Sequence, residues 1–330
     1  MITDNEYYSI KRISHSSLRH FQTSPLTFKM FLDKELEEEK KSYLEDGKII
    51  HMYFLERDKF DETYEFFDYK IPSSEQAKKF IEELSKFKRL SDEIIVQEYK
   101  QQYSIKGKSD DKILNEAVEL RKKYSDYLRY LKAKENDKEV LGSGWKNKLE
   151  TLESTMRSHD IIRSLLFDRR IDDFSKLVVE DSFNEFPILF KDPIHDTECK
   201  SLIDRIVIDH VNKVIKLVDL KTTFSFDGLS DKVKEYNYHR QMAFYWMAIM
   251  NMVKEGYEFI DLKDYKRETY IIFIKTKDPL EVTVKQIGDS LINEGTLEIM
   301  QILMSLSWHM RNNKWDHDRL YYDGKCEIFE

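Results

Sequence analysis

The chain has 330 residues, 41% of them hydrophobic, which is enough to bury one large core or to divide into a core domain and a helical accessory region. Nine glycines and five prolines argue against long disordered linkers and against an all-β architecture full of tight turns. A formal net charge of −8 gives no support to a nucleic-acid binder that works through its overall field, although a local basic track at an enzyme site is compatible with it.

Acidic and polar residues at the start of the chain, Met1-Ile2-Thr3-Asp4-Asn5-Glu6, replace the basic start and apolar run of a secretory signal. The next segment, Ile13-Ser14-His15-Ser16-Ser17-Leu18, offers serines that can cap a helix running into Arg19-His20-Phe21, and Ser24-Pro25 ends it and begins another. The charged run over 33–41 reads as a solvated helix face. Over 44–56, Gly47, His51 and Leu55 recur every four residues on one helical face, so His51 is expected to face inward. Residues 73–166 are rich in Lys, Glu and Leu at helical spacing, with breaks at Lys106-Gly107-Lys108-Ser109 and Gly142-Ser143-Gly144, and read as an accessory helical region.

The character changes near Lys176. Leu177-Val178-Val179, Pro187-Ile188-Leu189-Phe190, 201–208 and 214–219 are short apolar or alternating runs broken by Asp192-Pro193 and His210-Val211-Asn212, the pattern of an antiparallel meander. An apolar helix over 235–253, a strand at Tyr270-Ile271-Ile272-Phe273-Ile274 and a last helix through Ser307 complete the order β-β-β-α-β-α. The longest apolar stretch, 242–252, is far short of a membrane span. Two cysteines, Cys199 and Cys326, suggest neither a tetrathiolate metal site nor a disulfide framework, and a reducing, cytoplasmic compartment is expected.

Chemistry concentrates at the end of the meander. In a strand, Asp219 and Lys221 project to one side while Leu220 points into the core. Asp219 can hold a hard divalent cation, the Leu220 carbonyl can add an oxygen, and Lys221 can orient or help deprotonate an attacking water or stabilise a phosphorane. An isolated D-x-K is usually a surface pair. Here Asp204 lies fifteen residues upstream, at the end of the preceding predicted strand, where a hairpin brings it beside Asp219. Gln241 and Tyr245 lie one turn apart on the apolar helix, next to Arg240, and a buried glutamine there needs a partner, such as a phosphate or the lysine. Glu185 and Lys200 are candidates for supporting positions, with Glu180 and Glu198 close by. Glu56, Glu185 and Glu198 leave open whether a second metal is held.

Taken together, these motifs resemble the RecB-like branch of the PD-(D/E)XK nucleases, and within it the exonuclease VIII (RecE) type of phages and prophages. The resemblance covers Ile13 to Leu18 with Ser24-Pro25, the histidine helix from Gly47 to Glu56, Lys200 to Asp204 with Val218-Asp219-Leu220-Lys221-Thr222-Thr223, the Q-x-x-x-Y of Gln241 and Tyr245, and Lys277-Asp278-Pro279-Leu280-Glu281-Val282. It implies an α/β restriction-endonuclease-like core over 170–330, a mixed sheet flanked by helices, interwoven with an N-terminal helical region over 1–169 that contributes the histidine. His51, Asp204, Asp219 and the Leu220 carbonyl would bind Mg²⁺ or Mn²⁺. Asp204, Asp219, Lys221 and Gln241 would be catalytic, and Gln241, Tyr245 and Arg240 would meet substrate. The implied activity is 5′-to-3′ digestion of linear double-stranded DNA for recombination or repair, beside a single-strand annealing recombinase and in a ring-like homo-oligomer. Ile203 stands where the superfamily often has proline, and the cysteines of its iron–sulfur members are missing, so no such cluster is expected. A restriction-like endonuclease and an inactive DNA-binding protein of the same fold are the rival readings.

Overall fold

The computed structural model describes residues 4–36, 42–167, 180–254 and 264–325. The chain forms two compact units, one of residues 1–55 and 154–330, the other of residues 56–153. The expected boundary at 169/170 lies outside the described residues, as do Leu177-Val178-Val179 and Cys326. The first 55 residues belong with the sheet, which only tertiary contacts, not helical periodicity, determine.

The larger unit opens with α1 (Asp4–Ser9), α2 (His15–Thr23) and α3 (Pro25–Leu32). Ser14 and Ser17 form a reciprocal capping box on α2, and Ser24 caps α3 with Pro25 in its first turn. These are the breaks read from the sequence. Residues 33–36 do not continue the helix: α3 stops at Leu32, and Lys34 takes a positive φ of 61°. The chain then enters α4 (Ser42–Leu55).

The smaller unit contains α5 (Arg57–Thr63), β1 (Tyr64–Phe66), α6 (Glu75–Ser85), α7 (Asp92–Tyr103), α8 (Asp110–Lys123), α9 (Ser125–Glu135), β2 (Glu139–Leu141) and most of α10 (Ser143–Ser158). Phe80, Ile81, Leu84, Ile95, Ile113 and Ala117 form its core. Strands β1 and β2 pair in parallel, an element too short for any sequence pattern to announce.

Returning to the larger unit through α11 (Asp160–Leu166), the chain builds β3 (Glu180–Asp192), β4 (Thr197–Asp209) and β5 (Val214–Thr223). Then come α12 (Leu229–Glu235), α13 (Tyr238–Lys254), β6 (Lys266–Lys275), β7 (Val282–Ile287), α14 (Asp289–Asn312) and α15 (Arg319–Tyr322). The sheet order is β3-β4-β5-β6-β7, with an antiparallel meander over the first three, a parallel β5–β6 pair, and an antiparallel edge strand β7. This is the mixed α/β sheet flanked by helices that the sequence led us to expect. Nearly every residue of β4 is buried, as a central strand covered on both faces requires.

Three elements differ from expectation. The helix placed over 235–253 is α13, which begins three residues later because Asn237 adopts a left-handed φ of 60° and turns the chain before it; the short α12 ahead of that turn was not expected. Strand β5 runs four residues past Asp219, held by its parallel ladder to β6. Strand β7, with the mixed sequence Val282-Thr283-Val284-Lys285-Gln286-Ile287, is an edge strand whose weak alternation hid it. Helix α13 packs on β3 and β4, burying Met242, Phe244, Ala248 and Ile249, and α14 packs on α13.

Candidate active site

The geometry begins at a fork in the sheet. The β4–β5 ladder runs from Asp209–Val214 to Arg205–Val218 and stops, while β4 stays paired with β3 and β5 with β6. Asp204 and Asp219 are the next residues on each side of the opening. Neither lies at a strand end, as the sequence reading supposed; both are mid-strand, and the opening of the ladder isolates them. In place of a backbone bond across the gap, the Leu220 N–H donates to Asp204 Oδ2 at 2.9 Å.

Helix α4 brings His51 to the same place. Its Gly47 abuts β5, where an added Cβ would stand 3.2 Å from Thr222 Oγ1, and one turn later His51 Nε2 is 2.7 Å from the Leu220 carbonyl oxygen. The end of α4 is fixed by Asn184 of β3, whose Nδ2 donates to the Leu55 carbonyl at 2.8 Å, one of the groups a helix C-terminus leaves unsatisfied. The other ring nitrogen, Nδ1, lies 3.6 Å from Asp204 Oδ2 and 3.9 Å from Glu185 Oε1.

Glu185 therefore stands in the first ring of donors rather than behind it: His51, Glu185 and Asp204 present ligand atoms within 4.8 Å of one another. Its backbone has a positive φ of 44° in a strand, a costly conformation for a residue with a side chain, and such strain collects at functional positions.

Asp219 is fully buried, Lys221 Nζ stands 2.5 Å from its Oδ2, and Gln241 Nε2 donates to its Oδ1 at 3.2 Å. The same Gln241 nitrogen donates to the Tyr245 hydroxyl at 2.7 Å. Gln241 is thus bonded to the carboxylate rather than to the lysine. Tyr245, nearly buried, lies behind Gln241 instead of facing open solvent.

The electrostatics follow from burying these charged groups side by side. Burial and the Asp204 charge push Asp219 up to about 6, against the opposing pull of Lys221. Burial disfavours charge on His51, but Asp204 and Glu185 outweigh it and hold the ring up to about 9. Burial likewise opposes charge on Lys221, and Asp219 and Asp204 reverse this, so the ammonium is retained. The negative field that Asp204 and Glu185 set up at His51 is one that would also favour a bound cation. The Asp204 and Glu185 carboxylates and the His51 imidazole, with Asp219 and the Leu220 carbonyl beside them, suit a hard divalent ion such as Mg²⁺, with the nitrogen favouring Mn²⁺.

Two expected residues are placed elsewhere. Lys200 donates to the carbonyls of Tyr7 and Ile10 at 2.8 and 2.9 Å and lies over the Tyr7 ring, fastening α1 to β4. Arg240, nearly buried, has Nε 3.2 Å from Glu298 of α14, in the seam between helices. Of the spare acids, Glu198 pairs with Arg12 at 2.5 Å and Glu56 with Lys59 at 3.0 Å.

Sequence reasoning missed two groups. Tyr238 carries its ring under Lys221, with Nζ 5.3 Å from the centroid; its position one turn before Gln241 was a usable signal. His15, kept neutral down to about 3 by burial and then by Lys221 and Arg240, had no signal beyond its place in the capping segment.

No family model and no curated protein sequence matches this chain. Among solved structures, a protein from Eubacterium rectale provisionally described as an exonuclease aligns with 100% of this chain and 95% of its own, with 13% identity and a TM-score of 0.49. The protein SSO0001 aligns with 69% of this chain and 84% of its own, with 12% identity and a TM-score of 0.23. Likeness at this level leaves the functional reading to the site itself. Among the described residues, no helix is long and apolar enough to cross a membrane.

Proposed function

We propose that the chain is a divalent-metal-dependent DNA nuclease of the PD-(D/E)XK superfamily, RecB-like branch, that hydrolyses phosphodiester bonds. The observation carrying this reading is the meeting, at one fork of a mixed sheet, of the Asp204 and Asp219 carboxylates with the Lys221 ammonium and with His51 on the Leu220 carbonyl.

His51, Asp204, Asp219, Glu185 and the Leu220 carbonyl are the groups that would hold the cation. Once bound, such an ion polarises a phosphoryl oxygen and eases deprotonation of water. Lys221 remains an ammonium in this field, which favours orienting water and stabilising charge on phosphorus over acting as a base. Gln241 locks the Asp219 carboxylate, and Tyr245 locks Gln241. Phosphodiester cleavage by attack on phosphorus would release a 3′-hydroxyl and a 5′-phosphate.

The finer reading is an exonuclease digesting linear double-stranded DNA from 5′ to 3′. It would work in a cytoplasm, as a homo-oligomer and beside a single-strand annealing recombinase; here the support is the motif resemblance alone. Incubation with Mg²⁺ of a covalently closed circle beside its linear form separates the alternatives. A linear substrate consumed from a 5′ label, with the circle intact, is the expected result. A cut circle would establish the endonuclease reading instead.

A further inference from the structure

Helices α12, α13 and α14 meet around His239. Gly295 lets α14 lie directly on the first turn of α13, since a Cβ there would stand 2.7 Å from the His239 carbonyl oxygen. Glu294 and Glu298 flank that glycine one turn apart on one face of α14. Ligand atoms of His239, Glu294 and Glu298 all lie within 4.8 Å of one another.

Two features of His239 point to a ligand. Its side chain is only 3% exposed, and its Nε2 is a buried atom with no hydrogen-bond partner among the described residues, although Glu298 Oε2 lies 3.4 Å away. The other ring nitrogen, Nδ1, lies 3.2 Å from the Val233 carbonyl oxygen of α12. A carbonyl can only accept, so Nδ1 carries the proton, and in the neutral ring Nε2 is a lone pair facing two carboxylates. Such a juxtaposition is repulsive until a cation stands between the groups. A carbonyl on the far nitrogen is also the common support of a metal-ligating histidine, because it orients the ring and raises its basicity.

The cationic side chains nearby leave this nitrogen unmet. Arg240 Nε lies 3.2 Å from Glu298 Oε2 and is itself buried without a hydrogen bond among the described residues. Lys234 Nζ is 2.7 Å from Glu294 Oε1, but its side chain is 56% exposed, and a surface pair of this kind is readily exchanged. The 3.4 Å between Nε2 and Glu298 Oε2 is close to the roughly 3.3 Å that separates two ligands of a tetrahedral zinc ion with bonds near 2.0–2.1 Å. An imidazole with two carboxylates favours Zn²⁺ over Mg²⁺. Both glutamates are part-exposed, so an ion can enter from solvent.

We propose that His239, Glu294 and Glu298 form a zinc site, separate from the fork in the sheet, that fastens α13 to α14 with water completing the coordination. It does not rest on the nuclease reading, since an ion here is structural and touches no substrate. Its consequence for the fork is indirect: α13 carries Gln241 two residues beyond His239.

The test titrates Zn²⁺ into the full chain, stripped with EDTA and then freed of it, with His51→Gln and Asp204→Asn introduced to disable the fork. Calorimetry gives stoichiometry and affinity, thermal unfolding gives the stabilisation, and Co²⁺ in place of Zn²⁺ gives a visible absorption that reports the ligand set. One Zn²⁺ per chain, with a raised melting temperature, is the expected result. Adding His239→Gln or Glu298→Gln should weaken binding at least about tenfold and abolish both the thermal shift and the Co²⁺ band. Lys234→Ala, which releases Glu294 from its ammonium, should tighten binding by about twofold to fivefold. Glu294→Gln, at a part-exposed position, keeps the test decisive if a change at the buried histidine prevents folding; in the otherwise wild-type chain it should remove one bound ion. No Zn²⁺ bound by the fork-disabled chain, or binding that His239→Gln, Glu294→Gln and Glu298→Gln leave unchanged, would overturn the proposal, as would weaker binding in Lys234→Ala.

Discussion

Asp219 is the residue on which the rest depends, a carboxylate with no solvent exposure whose charge is answered by Lys221 and one amide. Its pKa near 6 and that of His51 near 9 set how metal binding responds to pH. In the metal-free site His51 is protonated below about 9, and a cation must displace that proton; below about 6 it must displace one from Asp219 as well. Affinity for Mn²⁺ is therefore expected to rise with pH up to about 9, with a steeper dependence below 6. Calorimetry at pH 7.5 in buffers of different ionisation enthalpy should register about one proton released per ion, and His51→Gln should remove that release. Proton-independent binding would contradict the assignment of His51 as a ligand. At this scale the sequence was most informative where chain geometry alone pairs residues: the two-residue spacing of Asp219 and Lys221 and the four-residue spacing of Gln241 and Tyr245. Glu185 was assigned a supporting role because its left-handed backbone, which keeps it opposite Asp204 and beside His51, is not encoded in its residue type.

At the level of elements, the site depends on how closely α14 approaches the first turn of α13. Gly295 makes this possible: a Cβ there would lie 2.7 Å from the His239 carbonyl oxygen and 3.0 Å from Arg240 Cα, contacts with backbone that no side-chain motion can relieve. Gly295→Ala should destabilise the protein by about 1–3 kcal/mol, as overpacking does, and should lower activity through Gln241, which α13 carries. Thermal unfolding and hydrolysis rates measured on one preparation check this; an alanine variant of unchanged melting temperature would show that the helices can separate at no cost. The meander was legible because β3, β4 and β5 each alternate or run apolar between turn residues. The short α12 was not, since Leu229-Ser230-Asp231-Lys232-Val233-Lys234-Glu235 is too brief and polar to show an apolar stripe, and the left-handed Asn237 closes it off from α13. Nor was the fork, which arises where one ladder stops while its neighbours continue.

At the scale of the whole molecule, residues 1–55 fold with residues 154–330. His51 reaches Leu220 across 169 positions of sequence. A chain beginning at residue 170 is accordingly expected to bind no metal and cleave no DNA, and normal cleavage by that fragment would contradict the arrangement. The division at residue 55 was not read in advance, because helical spacing does not say which distant part of the chain a helix packs on, and the contacts that join α4 to the sheet, such as His51 to Leu220, are far apart in sequence. Net charge, at −8, likewise averages away the local picture, in which the ammonium of Lys221 faces a pair of carboxylates.

The most direct test of metal-dependent phosphodiester hydrolysis at this fork is digestion of end-labelled linear duplex DNA in Mg²⁺ or in EDTA, by the wild type and by Lys221→Ala, with the termini of the products identified. Hydrolysis only with Mg²⁺, products bearing 5′-phosphate and 3′-hydroxyl ends, and a loss of at least about a hundredfold in Lys221→Ala are the expected results. Hydrolysis that persists in EDTA or in Lys221→Ala, or DNA left intact by the wild type in both Mg²⁺ and Mn²⁺, would contradict it.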